Sequence, residues 1–153
     1  MFWMPDQVRH DELGLFTRPS KLNQMLNKDQ IAKIVAFAKA QPMISAIYLF
    51  GSHASEHDRP KSDIDLGVLF SDDVDGFARI NMETEISNIL KKDVDLVDIK
   101  RSSPFLRHQI YKCGKALYHD RSDFSFIFRA KSIHEYLDTD YLRRKRKATF
   151  YGQ

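Results

Sequence analysis

Apolar and polar positions along this chain switch repeatedly between a helical and a strand period. Ile31, Ile34, Val35 and Ala38 recur on one helical face, and Asn27 with Gln30 three positions later is a capping-box pair that starts the helix. Pro42 stops it. Ile44 to Phe50 is a short apolar run rich in strand formers and bounded by Gly51, which predicts a buried strand; Ile64 to Phe70 predicts a second. Between them lies a polar loop from Ser52 to Ser62, with a turn at Arg59, Pro60 and Lys61.

The pattern then repeats in alternation. Asp72, Asp73 and Asp75 favour a helix start, and Phe77, Ile80, Ile86, Ile89 and Leu90 supply its apolar stripe as far as Lys91 and Lys92. A third strand is predicted from Val94 to Ile99. Ser103 and Pro104 read as N-cap and first residue of a helix with Phe105, Leu106, Ile110 and Tyr111, closed by Gly114 at C′. Ala116 to Tyr118 predicts a short edge strand, and Ser122 a cap for a last long helix with Phe124, Ile127, Phe128, Ile133 and Tyr136. The expected fold class is α/β (α+β), a small mixed β-sheet flanked by helices.

With 153 residues, 42% of them hydrophobic and 29% charged, the chain is long enough for one core. Residues 1–24 show no sustained period and read as an irregular N-terminal extension, with Met25 as a rival start; residues 25–140 form the domain, and 141–153 a basic tail. The net charge of +3 belongs to that tail. Without Arg143, Arg144, Lys145, Arg146 and Lys147, 19 basic side chains face 21 acidic ones, a body charge of −2. Such a body offers no phosphate-tracking face, so no stable nucleic-acid binding is expected. A single cysteine, Cys113, forms no intrachain disulfide and suits the cytoplasm. The longest uncharged stretch, Ala40 to Ser55, is interrupted by Pro42, Gly51 and His53 and falls short of a membrane span.

Three features carry candidate chemistry: Gly51 and Ser52 at the exit of the first strand, Asp63 and Asp65 opening the second, and Asp95 inside the third. Residues i and i+2 of a strand share a face, so the carboxylates of Asp63 and Asp65 lie side by side and call for a countercharge. A divalent cation such as Mg²⁺ answers that need, since it takes hard oxygen ligands and substrate phosphates. Taken singly, each residue has a bland reading, Gly51 as a turn glycine, Asp63 as a turn residue, Asp65 as a solvent-facing strand residue. Jointly they are harder to dismiss, because aspartate is depleted in strands.

The stretch GSHASEHDRPKSDIDL resembles the signature of the minimal nucleotidyltransferases of the DNA polymerase β superfamily, Gly-Ser, ten residues, then Asp-x-Asp. Gly51, Ser52, Asp63 and Asp65 occupy the matching positions. The third aspartate of that family is best matched by Asp95, between Val94 and Leu96, with Asp93 and Asp98 as weaker candidates. The following stretch VDLVDIKRSSPFLRHQIYKCGKALYHD is similar to the small MntA-type antitoxins paired with HEPN-domain toxins, and the likeness spans residues 25–140.

The resemblance implies a minimal nucleotidyltransferase fold and an antitoxin that transfers AMP from ATP to a tyrosine of a HEPN-type RNase toxin, silencing it. Under that implication, Gly51 and Ser52 hold the β- and γ-phosphates, and Asp63, Asp65 and Asp95 serve as catalytic metal ligands for two Mg²⁺ ions. Asp95 also accepts the proton of the incoming hydroxyl. Rival readings are a transferase for a small hydroxylated acceptor and a non-catalytic toxin-binding module.

Other residues attract bland readings beside functional ones. His53, His57 and Asp58 are solvated loop residues or phosphate neighbours, and Arg59 and Lys61 can neutralise phosphate charge. Cys113 reads as a small buried hydrophobe. The run Arg143 to Lys147 is a solvated charged face or a docking segment for an acidic partner. Tyr111, Tyr118, Tyr136, Tyr141 and Tyr151 read as packing residues, with AMP acceptance in cis as the alternative.

Overall fold

The computed structural model describes residues 26–51 and 63–151. Four strands, β1 (Ile44–Phe50), β2 (Ile64–Phe70), β3 (Val94–Asp98) and β4 (Lys115–His119), lie in one sheet in the order β3-β2-β1-β4. β1 is antiparallel to both β2 and β4, whereas β2 and β3 are parallel. Parallel neighbours cannot be joined by a hairpin and need a crossover. That crossover is α2 (Gly76–Leu90), and the other helices are α1 (Lys28–Ala40), α3 (Pro104–Cys113) and α4 (Phe124–Tyr151). The sheet is mixed and flanked by helices, as the sequence patterning predicts.

Local chemistry accounts for most boundaries. The capping box forms as predicted, the Gln30 N–H donating to Asn27 Oδ1 at 2.8 Å and the Asn27 N–H to Gln30 Oε1 at 3.1 Å. Asp75 caps α2 through the Ala78 N–H at 2.7 Å, and Ser103 caps α3 through the Leu106 N–H at 3.2 Å with Pro104 behind it. α2 ends at Lys91, whose φ of 56° is left-handed. Gly114 closes α3 as the C-cap in an extended conformation, so its glycine identity is steric. A Cβ there would stand 2.4 Å from the Ile110 carbonyl oxygen. Ser122 does not cap α4; its N–H and hydroxyl turn back to Asp120, and Asp123 supplies the carbonyl that accepts the Ile127 N–H.

Each face of the sheet buries its own core. On one side Ile34 and Phe37 of α1 and Met82, Ile86 and Leu90 of α2 pack with Leu49, Leu66, Val68, Phe70 and Leu96. On the other, Ile110 and Tyr111 of α3 pack with Ala46, Tyr48, Leu69 and Ile99, flanked by Phe124 and Phe128 of α4. The stripe expected on α2 is thereby corrected. Phe77 is 75% and Ile80 52% exposed, because at 100° per residue they stand on the helix face turned away from the buried Met82 and Ile86, whereas Ala78 and Arg79 of the same turns reach the core and β3. α4 departs in a similar way, with Ile127 and Ile133 exposed. It is also longer than its predicted stripe and carries Arg143 to Lys147 as helix.

Candidate active site

The parallel register sets Asp65 directly opposite Asp95. Neighbouring strands are about 4.8 Å apart and laterally paired residues project to one face, so these two carboxylates stand side by side. They lie on the face that α3 covers further along, where Gly67 lets Ile99 and Ile110 close on the sheet; a Cβ there would stand 3.2 Å from Ile99 Cδ1 and 3.3 Å from Ile110 Cγ2. Asp63 is exposed, two residues before Asp65 and just outside β2. From the other neighbour, Phe50 pairs with Asp65, which brings Gly51 at the exit of β1 to the same end of the sheet.

Of the predicted site residues, Gly51, Asp63, Asp65 and Asp95 thus gather at one sheet end. Ser52 lies outside the described residues, as do His53, His57, Asp58, Arg59 and Lys61. The weaker candidates for the third aspartate stand outside this lateral pair. Asp98 takes the Lys100 N–H at 2.9 Å and pairs with Arg101 at 3.6 Å, three positions from Asp95 and so on the opposite face of the strand. Asp93 precedes β3, and its carbonyl accepts the Ile64 N–H at 2.9 Å.

The donor set consists of carboxylate oxygens, the chemistry a hard divalent cation requires. Among the described residues no three His, Cys, Asp or Glu side chains are drawn together tightly enough to enclose a metal. The arrangement is a row across two strands, not a cage. Mg²⁺ is commonly held by one or two carboxylates, with waters and substrate phosphates filling its octahedron, and an open row fits that habit.

β3 is an edge strand, and α2 blunts it. Arg79 Nη1 donates to the Leu96 carbonyl at 2.8 Å, Glu83 Oε2 accepts the Leu96 N–H at 2.9 Å, and Ser87 Oγ accepts the Val94 N–H at 3.2 Å. These bonds satisfy outward-facing backbone groups that would otherwise template another strand. They also fix the segment that carries Asp95. Beside it, an open cleft of about 400 Å³ is lined by Gly76, Arg79, Asp95, Val97, Arg101 and Leu106. Sequence reasoning missed this cleft and the capping of β3. The signal for the capping was the i, i+4, i+8 spacing of Arg79, Glu83 and Ser87, a polar stripe on one helix face; Arg101 carried none.

Tyr111 is buried, and burial with Tyr48 beside it pushes its phenol upward, against the pull of the Arg129 guanidinium over its ring. It is a core residue and out of reach as an AMP acceptor. Cys113 is half-buried, its thiol 3.8 Å from Gln109 Oε1. Among the described residues no helix is long and apolar enough to cross a membrane.

Residues 32–123 match the family described as Polymerase beta, Nucleotidyltransferase. The chain is 34% identical over 125 residues to the protein adenylyltransferase MntA of Shewanella oneidensis, covering 82% of this chain and 86% of that protein. Among solved structures, a tri-AMPylated Shewanella oneidensis HEPN toxin in complex with MNT antitoxin matches with a TM-score of 0.62 and 31% identity, over 82% of this chain and 96% of that one. A toxin-antitoxin structure with AMP-PNP matches with a TM-score of 0.61 and 34% identity over the same shares. With the family matched over residues 32–123 and a relative 34% identical over 82% of it, the chain belongs to the polymerase β-type nucleotidyltransferases, among the minimal, MntA-type members of that family.

Proposed function

We propose that this chain is a Mg²⁺-dependent protein adenylyltransferase of the cytoplasm, transferring AMP from ATP to a tyrosine of a HEPN-type RNase toxin and thereby acting as its antitoxin. The observation that carries the reading is the lateral pairing of Asp65 with Asp95 at the sheet end reached by Gly51, in a chain 34% identical to a protein adenylyltransferase. Backbone amides at Gly51, with the hydroxyl of Ser52, bind the β- and γ-phosphates, the absent side chain of Gly51 allowing the chain to approach the anion. Asp63 and Asp65 would hold Mg²⁺, and Asp95 would share a second ion. Bound there, the metal supplies charge neutralisation of the triphosphate and of the attacking and leaving oxygens.

Asp95 takes the proton of the acceptor phenol as its oxygen bonds to the α-phosphorus. The bond from the α-phosphorus to the bridging oxygen breaks, and its electron pair leaves with pyrophosphate. The acceptor comes on a macromolecule that brings its own hydroxyl, a reading supported by the likeness to a protein adenylyltransferase and to a complex with an AMPylated toxin.

The experiment is incubation of the purified chain with α-labelled ATP, Mg²⁺ and a HEPN-type protein from the same genome. Label on the partner that disappears with Asp63→Ala and Asp65→Ala is the expected result. Equal inhibition of the partner by those variants, without label, would make the chain a non-catalytic binding module. Label on a small hydroxylated molecule instead would reassign the acceptor.

A further inference from the structure

We infer that the cleft on the outer edge of β3 is the acceptor-side site, that it seats the phenol ring receiving AMP, and that Arg101 is its positioning residue. The inference rests on the adenylyltransferase reading. Asp95 belongs to two surfaces at once, the row it forms with Asp65 and the wall of this cleft. A hydroxyl delivered through the cleft therefore reaches the carboxylate shared with the nucleotide side, where its proton passes to Asp95, its oxygen bonds to the α-phosphorus, and pyrophosphate departs.

The chemistry of the walls suits an aromatic ring with a polar tip. Val97 and Leu106 give an apolar surface, and Gly76 leaves room, since a Cβ at that position would meet nothing within 4 Å. Arg79 is committed to the Leu96 carbonyl and shapes the rim. Arg101 is 59% exposed and is steered by an ion pair at 3.6 Å with Asp98, a second carboxylate of the cleft's lining, which is itself anchored by the Lys100 N–H. A guanidinium at an apolar slot can face an aromatic ring and stabilise the phenolate that develops during attack. At about 400 Å³ the cleft is at the low end of ligand sites. It is open, so a side chain protruding from a folded partner can enter. Phe77 and Phe105, adjacent in sequence to the lining residues Gly76 and Leu106, are both exposed and offer apolar contact to the partner surface around that side chain.

The test compares Gly76→Phe, which adds a ring at a lining position with open space around it, with Arg101→Gln and Arg101→Lys in the full chain. Two quantities are read: kcat and KM for AMP transfer to a HEPN-type partner from the same genome, and AMP-PNP affinity with Mg²⁺ by calorimetry. Thermal midpoints confirm that each variant folds. The expected result is a partner KM raised about tenfold or more by Gly76→Phe and Arg101→Gln with AMP-PNP affinity unchanged, and partial recovery with Arg101→Lys. Weakened AMP-PNP binding with an unchanged partner KM would give the cleft to the nucleotide and overturn the inference. So would variants that alter neither quantity. A wild-type chain that labels no partner overturns the adenylyltransferase reading and this inference together, whereas an active wild type with an unaffected Gly76→Phe overturns this inference alone.

Discussion

Tyr48 lies edge-on to both Tyr111 and His119, each ring centroid 5.3 Å away, and burial pushes its phenol up to about 12 despite the nearby Arg129. An unfolded tyrosine ionises near pH 10. A phenol harder to ionise when folded contributes its full stability below about pH 10 and loses it as pH rises through about 12. Thermal midpoints are therefore expected to fall between those values, and Tyr48→Phe to flatten that fall; an unchanged profile would exclude Tyr48 as its source. At the site, Asp95→Asn should slow single-turnover transfer by about 10²–10⁴-fold, the usual range for a general base. Asp93→Asn should leave the rate unchanged. Equal losses would show that the register does not select the third aspartate.

Element boundaries were legible where one or two neighbouring side chains decide them, as with Asn27 and Gln30, or Ser103 and Pro104. The helix faces were less so. Phe77 and Ile80 are as apolar as the core positions of α2, but they lie on the face away from Met82 and Ile86, and a single chain of letters does not reveal which helix face a sheet will cover or that β3 is the sheet's edge. The same blindness hid Arg79, Glu83 and Ser87, whose partners are backbone groups of that edge. Glu83→Ala strands the Leu96 N–H and should cost about 1–3 kcal/mol in urea unfolding. Between helices, Arg107 pairs with Glu135 at 2.7 Å, lies over the Phe128 ring and also donates to the Ser102 carbonyl. Its replacement by Ala should cost about 1.5–3 kcal/mol, while Arg144→Ala, whose side chain is 81% exposed in its pair with Asp140, should be nearly silent. Comparable losses from the two would contradict the role given to the α3–α4 contact.

For the whole molecule, the division of charge read from the sequence acquires a location. The five consecutive basic residues continue α4 beyond its buried serine and aromatic contacts, on a helix that also exposes Leu137, Tyr141 and Leu142. The carboxylates of the body meet at the opposite kind of feature, the end of a sheet. The Asp-x-Asp spacing was legible because a strand's two-residue period fixes it, whereas the convergence of Asp95 depended on a parallel pairing across the α2 crossover. The claim that binds these scales is that the paired aspartates adenylylate a partner protein. Intact-mass spectrometry of a HEPN-type partner after incubation with this chain, ATP and Mg²⁺ tests it most directly. Whole adenylyl increments that map to tyrosine are expected with the wild type and none with Asp65→Asn; a partner that is bound and silenced at unchanged mass would contradict that claim.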